Sequence, residues 1–168
     1  MKALWTPWRM EHVLGRTKQP QGCLFEPAGD SFQNPKDLLL YRDAQLVVLL
    51  NRFPYANGHL LVAPARHLAD ISELNTSEQW LLMGMLADAT AILRKTLTPD
   101  GFNIGLNLGK TAGAGIADHL HFHIVPRWQE DHNFMTVCAD IRTIPQHIRH
   151  TFDLLAPDFQ QLRTTTKK

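Results

Sequence analysis

The sequence of 168 residues predicts an α+β domain in which an antiparallel sheet of about five strands packs against one main helix. Short apolar runs separated by turn residues indicate strands, and one longer segment has the apolar spacing of a helix. Because strands fall on both sides of this helical segment, the pattern favours an antiparallel sheet over alternating β-α units. We expect a single domain over residues 1–168, which is long enough to bury a core without disulfides.

Three apolar runs in the first half of the chain have the length of strands: Leu38–Tyr41, Leu46–Leu50 and His59–Ala63. A polar turn separates the first two runs and predicts a hairpin. Asn57-Gly58 is a turn signal that precedes the third run. Residues 1–36 contain several prolines and glycines and predict an irregular N-terminal arm, with one helical turn near Trp8–Val13.

The main helix is predicted over Trp80–Leu97, where apolar residues recur at helical spacing. Residues 76–79 resemble a capping box, with Thr76 as the N-cap and Gln79 as its partner. Two more strands are predicted after the helix, at Phe102–Leu108 and Asp118–Val125. A weak helical pattern covers Pro145–Leu155, and we expect residues 156–168 to form a flexible tail.

Composition restricts the compartment and the partners that this protein can have. The formal net charge is +1, which indicates neither nucleic acid nor a membrane surface as a partner. Only two cysteines occur, which is no disulfide framework and fits a reducing compartment. No apolar stretch approaches the length of a membrane helix, so we expect a soluble, cytoplasmic protein.

Three histidines alternate with apolar residues in the last predicted strand: His119, His121 and His123. Residues two apart on a strand share a face, so the three imidazoles should form a row while the apolar residues between them face the core. An incidental solvated face, a zinc site and nucleophilic catalysis by a neutral imidazole are all compatible with this spacing. The spacing alone does not separate the last two.

The loop that precedes this strand favours catalysis. Residues 109–115 contain three glycines, and Gly113-Ala114-Gly115 can expose successive backbone N–H groups to an anion. A phosphate held there would lie beside His121. Phosphate next to a nucleophilic imidazole implies transfer through a phosphohistidine intermediate.

The segment His119–Val125 resembles the signature of the histidine triad (HIT) superfamily, in which histidines alternate with apolar residues. The resemblance extends from Cys23 to about Phe134 and includes further motifs in the family's order: Leu50-Asn51, Asn57-Gly58-His59 through Pro64, His67 and Asn107. Residues 4–10 and 113–128 are similar to the bacterial diadenosine tetraphosphate phosphorylase-like branch. The resemblance to the HIT superfamily therefore implies the HIT-like fold and a homodimer in which two sheets join.

The resemblance also implies roles for individual residues. His121 would attack the α-phosphorus, and His123 would contact phosphate and support the nucleophile beside His119, the first histidine of the triad. The implied nucleotide-binding positions are Asn51 at the ribose, Asn107 near the α-phosphate, and the backbone of Gly113, Gly115 and Ile116. The loop lacks the polar side chains of other branches, so Lys110 or Thr111 is left as the candidate acid for the leaving group. His59 would support the triad or pack the turn.

A structural zinc is a further implication of the resemblance, although the chemistry itself should need no cofactor. The family's zinc ligands correspond here to Cys23, Glu26, His67 and His119, with Glu26 in place of a second cysteine. A carboxylate can bind zinc, but losing a thiolate weakens selectivity for it.

The expected function is nucleotidyl transfer on adenine dinucleoside polyphosphates, with phosphorolysis of diadenosine tetraphosphate to ATP and ADP as the favoured reaction. Hydrolysis of the same compounds, or of adenosine phosphoramidates and related AMP derivatives, is the alternative within this chemistry. Two alternatives from other classes are a non-catalytic nucleotide-binding module and a three-histidine metalloenzyme.

Overall fold

A computed structural model of the chain describes residues 22–26, 33–129 and 146–165. Its five strands are β1 (Leu39–Arg42), β2 (Leu46–Leu50), β3 (Leu60–Pro64), β4 (Gly101–Leu106) and β5 (Phe122–Arg127). The two α-helices are α1 (Thr76–Leu97) and α2 (Ile148–Thr165). The strands form one open sheet in the order β1-β2-β3-β5-β4, and all neighbours are antiparallel. The α+β fold with a five-stranded antiparallel sheet is therefore confirmed.

Both faces of the sheet are buried in its centre, which explains why β2 and β3 are continuous apolar runs. On one face, side chains such as Val48 and Val62 join the main core with residues of both helices. On the other face, Leu49 and Leu61 belong to a smaller apolar cluster completed by Phe25. The histidines lie on this second face, so they are separated from the helices by the sheet.

The N-cap of helix α1 lies one residue earlier than predicted. Asn75, in an extended conformation, is the N-cap, and its side chain accepts a hydrogen bond from the N–H of Glu78. Glu78 in turn accepts from the Asn75 N–H. The prediction that Thr76 and Gln79 form the box is wrong, because Asn75 is an equally good cap and Glu78 is fixed by Arg66. That ion pair has an N–O distance of 2.8 Å and, with the cap, lowers the pKa of Glu78 to about 2.

Helix α2 differs most from the sequence prediction. A flexible tail was expected from residue 156, yet the helix continues to Thr165 with Pro157 inside it. Phe152, Leu155 and Phe159 are buried in the main core, and this apolar stripe outweighs the backbone hydrogen bond lost at the proline. Residues 166–168 lie outside the described part of the chain, as does the helical turn predicted at Trp8–Val13.

Strand β5 is shorter at its start than the predicted segment from Asp118. Its ladder with β3 begins at the pair Val62–Phe122. Upstream of it, the Leu120 N–H donates to the Leu68 carbonyl at 2.6 Å instead of to β3. His119 and His121 therefore precede the strand, although they keep its alternation. Within the described residues, no helix has the length and apolar character needed to cross a membrane.

Candidate active site

His119, His121 and His123 form a row on the second face of the sheet, as the alternation predicts. Leu120 and Ile124, the residues between and after them, lie in the main core on the opposite face. The rings of His121 and His123 have centroids 4.9 Å apart. Phe25 closes the other end, with its ring 4.9 Å from His119 and 5.1 Å from His121. We call His119, His121 and His123 the histidine row.

The tautomer of His121 is set by the backbone. Its Nδ1 lies 2.8 Å from the carbonyl oxygen of His119. Because a carbonyl only accepts, Nδ1 carries the proton and Nε2 keeps its lone pair. His121 is 5% exposed, and this burial lowers its pKa below the usual value. A neutral imidazole with a free Nε2 is the form that acts as a nucleophile.

A hydrogen-bond relay through His59 fixes the tautomer of His123. The Nδ1 of His59 accepts a hydrogen bond from the Tyr55 N–H at 3.1 Å, so its proton lies on Nε2. That Nε2–H donates to Nδ1 of His123 at 2.9 Å. His123 consequently carries its own proton on Nε2 and can donate it to a ligand. Burial and the neighbouring imidazoles lower the pKa of His59 to about 3 and that of His123 to about 4.

Asn51 contributes to the same relay. Its Nδ2 lies 3.2 Å from Nδ1 of His59, and its Oδ1 accepts from the Phe53 N–H at 3.0 Å. The side chain therefore orders the turn between β2 and β3 and retains one N–H for a ligand. His59 therefore contacts both His123 of the triad and Asn51 of the turn, the two environments that the sequence offers as alternatives for it. Tyr55 was not singled out, and only its apolar ring in a turn hinted at a role.

In the glycine-rich loop, the backbone donors divide into two groups. The N–H of Gly113 donates to Lys110 and that of Ala114 to Gly109, at 3.0 and 3.3 Å. The N–H groups of Gly115 and Ile116 make no hydrogen bond with another described residue. An anion can therefore use the later pair, whereas the Gly113 donor is already satisfied. Lys110 and Thr111, the candidate acids, are exposed on this loop.

Asn107 lies beside this loop, because a Cβ placed on Gly113 would be 4.0 Å from its Nδ2. Its side chain makes no hydrogen bond with a described residue and keeps its donors for a ligand. Gly113 has a φ of +90°, which an L side chain adopts only with strain. The loop therefore brings Asn107 and the free N–H groups to the end of β4, next to the strand that carries His123.

A candidate metal centre lies at the His119 end of the histidine row, away from His123. Ligand atoms of three side chains are within 4.8 Å of one another: Cys23, His67 and His119. The Sγ of Cys23 is 3.1 Å from Nδ1 of His119. The Nε2–H of His119 donates to the Pro64 carbonyl at 2.9 Å, which leaves Nδ1 free to bind. One thiolate and two imidazoles are a donor set that zinc prefers, so the residues fit the ion.

Glu26, the fourth residue of the predicted zinc set, contacts the ring of His67. Its carboxylate lies 3.1 Å from Nδ1 of His67 and is not among the three grouped ligand atoms. Burial raises the pKa of the Cys23 thiol and lowers that of the His119 imidazole. Both shifts favour the neutral thiol and the neutral imidazole, in which the Cys23 S–H donates to Nδ1 of His119.

Residues 32–130 match the family model of the HIT domain. The chain belongs to this family. It is 36% identical over 165 residues to the AP-4-A phosphorylase of Mycobacterium tuberculosis, an alignment that covers 95% of the chain and 85% of the relative. It is 30% identical over 93 residues to the asymmetrical bis(5'-nucleosyl)-tetraphosphatase of Schizosaccharomyces pombe, covering 55% of the chain and 50% of that protein.

A solved structure supports the fold. The Zn-bound histidine triad family protein of Mycobacterium smegmatis superposes with a TM-score of 0.60 at 27% identity, over 76% of this chain and 87% of that one. The matched HIT range contains the histidine row, Asn51 and the glycine-rich loop. It excludes Cys23, Glu26 and helix α2, so part of the candidate metal centre lies outside the matched range.

Proposed function

We propose that this HIT protein is a nucleotidyltransferase that cleaves dinucleoside polyphosphates, and that its reaction is phosphorolysis of diadenosine tetraphosphate to ATP and ADP. The observation that carries the proposal is the tautomer of His121, whose free Nε2 is neutral, buried and oriented by a backbone carbonyl. The similarity to the mycobacterial AP-4-A phosphorylase over most of both chains supports this choice of substrate.

The reaction proceeds in two displacements. Nε2 of His121 forms a bond to the α-phosphorus, and the bond from that phosphorus to the bridging oxygen breaks and releases ATP. Inorganic phosphate then attacks the adenylyl-histidine, frees His121 and leaves as ADP. Splitting the transfer in this way leaves the choice of acceptor to the second step, so that water in place of phosphate makes a hydrolase.

The neighbouring groups stabilise the charge that develops at phosphorus. The Nε2–H of His123 donates to a phosphoryl or leaving oxygen, while the Gly115 and Ile116 N–H groups and Asn107 hold the remaining oxygens. Such preoriented donors are worth several kcal/mol where water is excluded. Asn51 holds the ribose of the retained nucleotide through its remaining amide N–H.

Zinc would be held by Cys23, His67 and His119, with Glu26 as the fourth ligand or as the hydrogen-bond partner of His67. When bound, the ion would tie the segment at residues 22–26 to the start of the histidine row. This role is structural, and no chemical step depends on it.

The resemblance-based expectations of a homodimer and a cytoplasmic location belong to this proposal. Strand β4 is an edge of the sheet with Ile104 half-exposed, and Trp80 on the outer face of α1 is 75% exposed. A second copy would cover such surfaces. Neither a nucleic acid nor a membrane is proposed as a partner.

The test is to incubate the protein with diadenosine tetraphosphate, with and without inorganic phosphate, and to separate the nucleotides. We expect ATP and ADP in equal amounts only when phosphate is present. AMP and ATP without phosphate would instead identify a hydrolase, and no turnover in either case would identify a binding module. Persistence of turnover after zinc is chelated would exclude a metalloenzyme.

A matched pair of variants tests the nucleophile. His121→Ala should abolish turnover while diadenosine tetraphosphate still binds. His150→Ala replaces an exposed histidine on α2 and should leave the rate unchanged. Normal turnover by the His121 variant would refute the mechanism.

A further inference from the structure

The turn between β2 and β3 is hydrogen-bonded to the start of helix α2 through the side chain of Asn57. The Asn57 Nδ2–H donates to Oε1 of Gln146 at 2.6 Å, and the Thr151 hydroxyl donates to Oδ1 of Asn57 at 2.8 Å. Oε1 of Gln146 and the Thr151 hydroxyl are themselves 3.2 Å apart. Both ends of the Asn57 amide are thus held by a part of the chain that lies outside the matched HIT range.

The contact from α2 uses a buried hydroxyl. Thr151 is 1% exposed, and a threonine inside a helix can satisfy its hydroxyl with the carbonyl four residues earlier. Thr90 of α1 is bonded in this way, because its Oγ1 donates to the Leu86 carbonyl at 2.6 Å. In Thr151 only the backbone N–H bonds back along the helix, to the His147 carbonyl, while the hydroxyl reaches the turn. This hydroxyl therefore connects two elements instead of closing a helical turn.

Asn57 lies inside the turn that fixes His59. The His59 N–H donates to the Ala56 carbonyl at 3.2 Å, and the Tyr55 N–H donates to Nδ1 of His59 at 3.1 Å. The Asn51 amide, 3.2 Å from the same Nδ1, is the second donor. Because Asn57 lies between Tyr55 and His59 in the chain, its position determines how the Tyr55 N–H meets the ring.

Apolar packing leaves this junction incomplete. A cavity remains between the turn and α2, and its lining includes the apolar side chains of Leu50, Pro54 and Ile148. Side chains that border a cavity lack partner atoms on that side and are held less firmly by packing. The hydrogen bonds of Asn57 cross the same junction and set the distance between the turn and the helix.

We propose that Thr151 and Asn57 are positioning residues, through which helix α2 keeps the proton of His123 on Nε2. The inference rests on the proposed function, in which this Nε2–H donates to a phosphoryl or leaving oxygen. Neither residue touches the substrate. They act by holding the turn that selects the tautomer of the relay.

Displacement of the turn would exchange the protons of the relay. If the Tyr55 N–H moves away, the Asn51 amide is the remaining donor that keeps Nδ1 of His59 an acceptor. In molecules where Nδ1 of His59 takes the proton, Nε2 becomes an acceptor and receives the proton of His123 from its Nδ1. His123 then has a lone pair at Nε2 and offers no hydrogen bond to a phosphate oxygen.

Two substitutions of Thr151 separate its hydroxyl from its packing. Thr151→Val keeps the shape and removes the hydroxyl, whereas Thr151→Ser keeps the hydroxyl and removes a buried methyl group. We expect the valine variant to lower kcat for diadenosine tetraphosphate by about 3-fold to about 30-fold, less than the complete loss of a preoriented donor. The serine variant should be less stable but keep kcat within about twofold of the wild type. Thr90→Val makes the same change in α1 and should leave kcat unchanged.

The tautomers can be measured without turnover, by proton–nitrogen NMR of the histidine rings in labelled protein. In the wild type and in Thr151→Ser, His59 and His123 should both carry their proton on Nε2. Thr151→Val should add a second population with the proton on Nδ1. Asn57→Ala removes both hydrogen bonds to α2 and should show the same change, which provides a second variant if the first does not fold.

The two readings keep the inference distinct from the proposed function. If the wild type turns over no dinucleotide, the proposed reaction fails and the tautomers alone decide whether α2 positions the relay. Wild-type tautomers in the valine and alanine variants would overturn the inference. A serine variant whose kcat falls as far as that of the valine variant would also overturn it, because packing and not the hydroxyl would then be responsible.

Discussion

Gly58 offers a direct test of how the turn before His59 is built. Its φ is +73°, a conformation that costs an L-residue about 1–2 kcal/mol. A Cβ at this position would lie 2.4 Å from Cδ1 of Leu97 and 3.3 Å from Cδ2 of Leu93. Leu97 is only partly buried and can shift, so we assign the contact about 1 kcal/mol, the low end of overpacking. Gly58→Ala should therefore lower the free energy of unfolding by about 2–3 kcal/mol.

The chain offers a matched control for this substitution. Gly84 lies in the interior of α1, is exposed, and has no neighbouring atom within 4 Å of an added Cβ. Gly84→Ala should stabilise the protein by about 0.5–1 kcal/mol, the difference in helix propensity. Urea unfolding at equal protein concentration measures both variants. Equal effects, or a neutral Gly58→Ala, would refute the geometry that we derive for the turn.

Three further predictions concern protonation, backbone strain and metal. His59 has a pKa of about 3 in the fold against 6.5 in the unfolded chain, so its contribution to stability is full above pH 6.5 and is lost as the pH falls toward 3. Acidification from about pH 7 to about pH 4.5 should lower the free energy of unfolding by about 2–3 kcal/mol through His59. In urea unfolding, the His59→Asn variant should therefore lose about 2–3 kcal/mol less than the wild type over this pH range. The same pH dependence in both proteins would count against a buried, neutral His59. Thr98, at the C-cap of α1, has a φ of +48°. The Thr98→Gly variant should have a free energy of unfolding about 0.5–1 kcal/mol higher than the wild type. A lower urea midpoint in this variant would contradict the assignment of strain. The purified protein should hold about one zinc per chain by elemental analysis, and Cys23→Ser should lose it; equal zinc content in both proteins would exclude the metal centre.

The parts of the fold that depend on local patterns could be predicted from the sequence. The boundaries of β2 and β3 are nearly correct because their apolar runs end at turn residues or proline. The prediction of a flexible tail from residue 156 is wrong because the buried stripe that includes Phe159 continues α2 past Pro157, a residue type that normally ends a helix. That compensation depends on packing against other elements, which no local pattern reveals.

The candidate site shows the same division. The alternating histidines placed three imidazoles on one face, and the resemblance to the HIT family suggested what each would do. Neither could give their tautomers, because the decisive acceptors are the backbone carbonyls of Pro64 and His119. The contact between Tyr55 and His123 depends on how the turn between β2 and β3 folds back, which no spacing in the sequence predicts.

Backbone groups explain how one residue type supplies three different chemical groups within five positions of the chain. Carbonyls orient His119 and His121, and the Tyr55 N–H orients His123 through the His59 side chain. His119 donates from Nε2 and keeps a lone pair at Nδ1, which faces the Cys23 sulfur. His121 donates from Nδ1 and keeps its lone pair at Nε2, while His123 accepts at Nδ1 and offers a proton at Nε2. A side-chain acceptor could itself change protonation and exchange these roles, but a carbonyl cannot. The hydrogen bonds of the main chain therefore determine which nitrogen of each triad histidine carries the proton, and with it the role of that histidine.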